Sequence, residues 1–112
     1  MKVIYSKYIP FKGYVAINLF GIIFARKEFK PISERTLNHE LIHTAQIKEL
    51  LYIFFYLWYA IEWIVRLIQY RDRLSAYYNI SFEREAYSNQ YDLSYLKYRK
   101  KYEFRKYLSI KK

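Results

Sequence analysis

The residues best able to do chemistry lie in one stretch, Asn38-His39-Glu40-Leu41-Ile42-His43. It holds both histidines of the chain, four positions apart, with a glutamate directly after the first. On a helix, positions i and i+4 sit one above the other, so both imidazoles can reach a single ion. Glu40 is rotated by roughly 100° from His39. It can therefore face the open side of a bound metal, where a base for an activated water is needed, without ligating the ion itself. This H-E-x-x-H spacing is the pattern of zinc hydrolases. The alternative is a pair of histidines on a helix surface.

A catalytic zinc site takes three protein ligands and keeps one position open. The chain has no cysteine and no third histidine, so the remaining side-chain ligand must be a carboxylate. Glu49 lies six positions after His43, but on an unbroken helix it falls roughly 240° away around the axis and cannot close the site. The downstream pair Glu83 and Glu85 is the other source. Glu83 borders the apolar stripe of Phe82, Ala86 and Leu93, whereas Glu85 shares its edge with Ser88, Asn89 and Asp92 and reads as solvent-facing. Glu83 is the preferred ligand and Glu85 the alternative.

These elements need a scaffold. At 112 residues the chain is one domain with room for a single modest core. It is 54% hydrophobic and 22% aromatic, with fifteen tyrosines, which excludes a disordered chain. The net charge of +10 implies affinity for an anionic partner. Glycine and proline punctuate only the first third, at Pro10, Gly13, Gly21 and Pro31. Residues 2–9 read as a strand, Pro10 to Gly13 as a turn, and the apolar runs 14–19 and 22–26 as a hairpin tightened at Phe20-Gly21, or as one strand bulged at Gly21. A small antiparallel sheet over residues 1–30 follows.

No glycine or proline follows Pro31, which predicts a helical remainder. The histidine helix is expected over 33–48, with Thr36 the better N-cap and Ser33 the alternative. Its metal face would be Thr36, His39, Glu40, His43 and Gln46, while Leu37, Leu41 and Ala45 would pack on the sheet. Residues 50–70 form a very apolar helix, long enough to cross a bilayer. Its apolar side chains favour insertion by roughly 5 kcal/mol, and Glu62 and Arg66 cost about the same. With four tyrosines and two tryptophans in the segment, a buried core helix or an interfacial one is favoured over a true span. Residues 71–80 read as a connection, and Ser81 as the cap of a third helix over 81–96. Residues 97–112, half of them Lys or Arg, read as a basic tail helix with a solvated face, in preference to a nucleic-acid surface.

His39-Glu40-Leu41-Ile42-His43, followed about forty positions later by Glu83-Arg84-Glu85-Ala86-Tyr87, resembles the gluzincin zinc metallopeptidases, and among them the small single-domain bacterial ones. The specific match covers residues 36–47 and 81–90. The resemblance implies an α+β, zincin-like minimal domain holding one zinc ion through His39, His43 and Glu83, with Glu40 as the catalytic base and a peptide or protein as substrate. It also implies a tyrosine for the tetrahedral oxyanion, for which Tyr77, Tyr78 and Tyr87 lie nearest the second motif. Family members often carry an acid where this chain has Tyr87, whose hydroxyl would then be the acceptor for an imidazole N–H. Two other functions fit the composition: a non-catalytic zinc-stabilised binding module, and an adaptor on an anionic membrane surface. The N-terminus shows no signal peptide, so the expected location is cytoplasmic, peripheral to or inserted in the inner membrane if residues 50–70 engage lipid.

Overall fold

The computed structural model describes residues 3–9 and 14–108. Their element order is β1 (Val3–Ser6), β2 (Ala16–Leu19), β3 (Ile22–Arg26), α1 (Glu34–Glu49), α2 (Ile53–Tyr70), α3 (Arg73–Tyr78), α4 (Ser81–Asn89) and α5 (Tyr95–Tyr98), with 3-10 turns at Lys27–Phe29 and Glu103–Tyr107. The class is α+β, a small N-terminal sheet packed on a helical remainder.

The hairpin forms as expected. β2 and β3 pair antiparallel around the two-residue turn Phe20-Gly21, both in the left-handed region at φ 55° and 90°. Such a turn matches the twist of the strands it joins. Phe20 is tied down despite that conformation: its N–H donates to the Tyr56 hydroxyl at 2.7 Å, and its ring packs on Tyr56. The first strand departs from an all-antiparallel sheet. β1 pairs parallel with β3, giving a mixed sheet of order β1-β3-β2 with β2 on the outside. The turn expected over Pro10 to Gly13 lies outside the described residues.

Helix α1 starts at Glu34, two residues before Thr36. Ser33 is its N-cap, accepting the Thr36 N–H at 3.1 Å. Its buried face also differs from the aliphatic reading. Leu37, Leu41 and Ala45 are only half-buried, whereas Asn38, His39, Glu40, His43, Thr44 and Gln46 are buried. Polar partners set this orientation. Asn18 of β2 donates to the Glu40 carbonyl at 2.8 Å and the Thr44 hydroxyl at 2.6 Å, locking the sheet to the polar side of α1.

After α1 the chain turns through 111° at Leu50–Tyr52, with Leu51 and Tyr52 left-handed. Helix α2 then runs along the surface rather than through the core. Among its residues only Phe55, Glu62 and Arg66 are buried, so of the two expected placements, core or interfacial, the core one is overturned. No single helix among the described residues is long and apolar enough to cross a membrane. The two charges that weighed against insertion face inward. Glu62 accepts the Ser81 N–H and hydroxyl, both at 2.6 Å, and Arg66 lies beside it at 3.5 Å. Glu62 thus supplies a carboxylate to the positive end of α4. Ser81 is consequently the first residue of α4, not its cap; Ile80 holds that place.

Residues 71–80 are not an irregular connection. Asp72 caps α3 by accepting the Ser75 N–H at 2.8 Å. Helix α4 stops at Asn89 instead of continuing to residue 96, because the Asn38 amide gathers the Asn89, Gln90 and Asp92 carbonyls at 2.9–3.3 Å. The basic segment is likewise no continuous helix. Arg99 is drawn inward between Glu49 and Glu85, at 2.8 and 2.5 Å, which breaks the helix between α5 and the second 3-10 turn. The main apolar cluster, Ile47, Phe55, Ile80, Phe82 and Phe104, sits where α1, α2, α4 and this segment meet.

Candidate metal centre

Three helices build the centre. α1 presents His39 and His43, α4 presents Glu83, and α2 supplies Tyr59 from behind. His39, His43 and Glu83 are all buried and offer one ligand atom each within 4.8 Å of one another, close enough to hold one metal ion. Glu83 Oε1 lies 3.3 Å from His39 Nε2 and 3.1 Å from His43 Nε2, and the two Nε2 atoms are 3.2 Å apart.

The protonation of both rings follows from what holds their other nitrogens. His43 Nδ1 lies 2.7 Å from Gln46 Oε1. The amide nitrogen of Gln46 donates to the Phe82 carbonyl at 3.1 Å and to Glu85 Oε1 at 2.9 Å. Both of those partners only accept, so the Gln46 oxygen must face His43, and His43 Nδ1 carries the hydrogen. His39 Nδ1 meets Gln90 Oε1 at 2.8 Å and donates in the same way. Both Nε2 atoms are left as lone pairs aimed at a carboxylate oxygen. Three acceptors with no hydrogen between them repel unless a cation or a proton lies among them. A divalent ion fits that donor set, since metal-bound histidines characteristically donate their second N–H to a fixed acceptor.

Glu83 is placed to offer a single oxygen to such an ion. Its Oε2 accepts from the Tyr59 hydroxyl at 2.7 Å. Burial and the neighbouring Glu83 push the Tyr59 phenol well above its usual range, so it stays a donor. Without metal, a proton takes the cation's role. Burial disfavours the charged forms of His43 and Glu83, but their mutual attraction outweighs it. His43 rises to about 9, chiefly through the Glu83 charge and hydrogen bond, and Glu83 falls below the usual carboxylate range.

Glu40 does not join this cluster. Burial raises its carboxyl above the usual value, against the pull of His43 and His39. It lines both clefts that open beside the centre. One of them, about 480 Å³, is bounded by Ile17, Asn18, Tyr56, Tyr59, Tyr77 and Glu83, and the other by Thr36, His39, Leu74, Tyr78, Tyr87 and Gln90. Tyr14, Ala16, Glu40 and Tyr77 line both, so the two clefts form one groove along β2.

The remaining sequence candidates separate clearly. Glu85 is fully buried, contrary to its solvent-facing reading, and its oxygens are taken by Gln46, Tyr95 and Arg99. Glu49 holds Arg99 and the Tyr102 N–H. Tyr87 is not the acceptor for His39: its ring packs edge-on against the imidazole at 4.4 Å, and its hydroxyl pairs with that of Tyr77 at 3.1 Å. Tyr78 packs on both of these tyrosines. Thr36, expected on the metal face, lies at the cleft edge. Sequence reasoning missed Gln90, Asn18 and Tyr59. No spacing rule points to them, because each reaches the centre from a different element.

Compared with known proteins, the chain matches no family model, no curated protein and no solved structure.

Proposed function

We propose that this chain is a zinc-dependent metallopeptidase of the gluzincin kind, holding one zinc through His39, His43 and Glu83. The observation that carries the reading is the convergence of the two Nε2 lone pairs and Glu83 Oε1 beside a separate buried carboxylate, Glu40, that opens onto a groove. When bound, zinc would supply Lewis acidity, lowering the pKa of a water and polarising a carbonyl.

The other steps belong to the protein. Glu40, raised by burial toward the working pH, accepts the proton of the attacking water and returns it to the leaving amine. Tyr77 lines both clefts beside Glu40 and keeps its proton, because burial and the nearby Glu83 push its phenol far up. It is therefore the preferred donor to the tetrahedral oxyanion among Tyr77, Tyr78 and Tyr87. β2, one of the two edge strands, runs along the groove and offers its edge to an extended peptide by strand addition. Gln46 and Gln90 keep both imidazoles oriented.

The test is Glu40→Gln with zinc supplied. It is expected to retain stoichiometric zinc while peptide hydrolysis, read on a fluorogenic peptide library, falls at least about a hundredfold. Turnover unchanged in that variant would refute the mechanism. Zinc bound by the wild-type chain with no turnover on any peptide would identify the non-catalytic, metal-stabilised module instead.

A further inference from the structure

Helix α2 is built inside out. Its two charged residues, Glu62 and Arg66, are buried, whereas Ile53, Phe54, Leu57, Ile61, Ile64 and Ile68 are 52–72% exposed. With Trp58 and Val65, these fill a sector of roughly 140° that contains no polar side chain. The sector is graded. Its middle is aliphatic and Phe, Trp58 closes one side, and on the other, beyond Ala60 and Leu67, the helix turns through Tyr56, Trp63 and Tyr70 toward the core, Tyr56 and Trp63 packing against it. Toward the Trp58 border it deepens into a mainly apolar groove, walled by Phe54, Trp58, Ile61, Val65 and Leu108, with Glu62, Arg66 and Gln69 along its inner side.

We propose that this face docks on an anionic lipid bilayer, with α2 lying in the plane of the interface. Three observations choose this occupant. An aliphatic centre closed by Trp58 matches the two environments a helix meets at a headgroup boundary. The charge around the face has the required sign. Lys48 precedes α2, Arg71 and Arg73 flank Asp72 after it, and Arg105 and Lys106, the latter paired with Glu103, adjoin Leu108 of the groove; all five cations are exposed and outnumber the two acids beside them. Much of the acidic complement that would offset them is internal, since Glu40, Glu62, Glu83 and Glu85 are buried. The third is repulsion: two copies of the chain at +10 each would oppose a dimer through this face. The exposed Phe20 at the hairpin tip packs on Tyr56 of α2, so a docked helix brings that end of the groove beside the metal centre close to the lipid. The proposal does not depend on catalysis.

The experiment is vesicle co-sedimentation of the full chain, using phosphatidylcholine alone and phosphatidylcholine with phosphatidylglycerol. Wild type is expected to bind the anionic vesicles, more weakly as salt rises. Ile61→Glu, at an exposed position, should weaken binding at least about tenfold. Ser88→Glu, exposed on α4, adds the same charge elsewhere and should cost less than about threefold. Circular dichroism checks that both variants fold. Tryptophan emission gives a readout in the unaltered chain, because both tryptophans lie on α2, and it should shift to the blue with anionic vesicles. The proposal is overturned by absence of binding, by equal losses in the two variants, or by a stable dimer in sedimentation velocity that Ile61→Glu dissociates.

Discussion

Replacing Gln46 by methionine isolates the part of the centre that fixes its chemistry. Methionine matches the side chain in length and volume, so no cavity opens, but three buried hydrogen bonds disappear: from His43 Nδ1, to Glu85 Oε1 and to the Phe82 carbonyl. The costs are unequal. Glu85 keeps Tyr95 and Arg99 as donors, so losing one partner there costs about 1 kcal/mol at most. The His43 N–H is left buried with no acceptor, at about 1–3 kcal/mol. A total near 3 kcal/mol should lower the melting temperature of the metal-free protein by about 10 °C. Freeing the ring to change tautomer should also weaken zinc binding about 10–100-fold. Calorimetric melting and zinc titration against a competing chelator measure the two effects, with Lys48→Met, exposed on the same helix, as control. Zinc affinity within about twofold of wild type would refute the reasoning that Gln46 sets the donor nitrogen of His43.

The metal-free protein should show a distinctive pH profile. His43 is raised from 6.5 to about 9 in the folded state. Its contribution is therefore complete below pH 6.5 and lost between 6.5 and 9, about 3 kcal/mol in all. Glu83 is depressed, so its contribution is present above 4.5 and lost as pH falls. Urea denaturation without metal should give maximal stability between about pH 4.5 and 6.5. With saturating zinc the trend should reverse, stability falling below about pH 6 as protons compete for the ligands. A metal-free protein equally stable at pH 6 and pH 9 would contradict the His43–Glu83 coupling. Arg99→Met leaves Glu49 and Glu85 buried without their shared cation. It should destabilise the fold by about 3–5 kcal/mol, and Arg99→Lys should recover only part, since one ammonium cannot replace the two bidentate contacts that the guanidinium makes with Glu49 and Glu85.

The sequence disclosed the metal-ligating cluster better than the packing around it. The His39–His43 spacing and the absence of any other nitrogen or sulfur ligand sufficed to name the cluster, because helical periodicity places those rings with no tertiary information. The choice of Glu83 over Glu85 came from the same periodicity. The companion claim that Glu85 faces solvent failed, since its neighbours Ser88 and Asn89 gave no hint of Arg99 folding back from fourteen positions downstream. Helix ends were misjudged where a distant side chain supplied the cap: Glu62 at the start of α4 and Asn38 at its end. Hydrophobicity alone left α2 open between core and interface; most of the run is turned outward because Glu62 and Arg66 join Phe55 on the inward side.

The most direct test of the central claim is elemental analysis of the purified chain after zinc exposure and removal of excess, run beside Glu83→Gln and Glu85→Gln. The centre described here predicts about one zinc per wild-type chain, about one in Glu85→Gln, and none retained by Glu83→Gln. A wild-type chain that holds no stoichiometric metal, or two variants that lose it equally, would contradict the account.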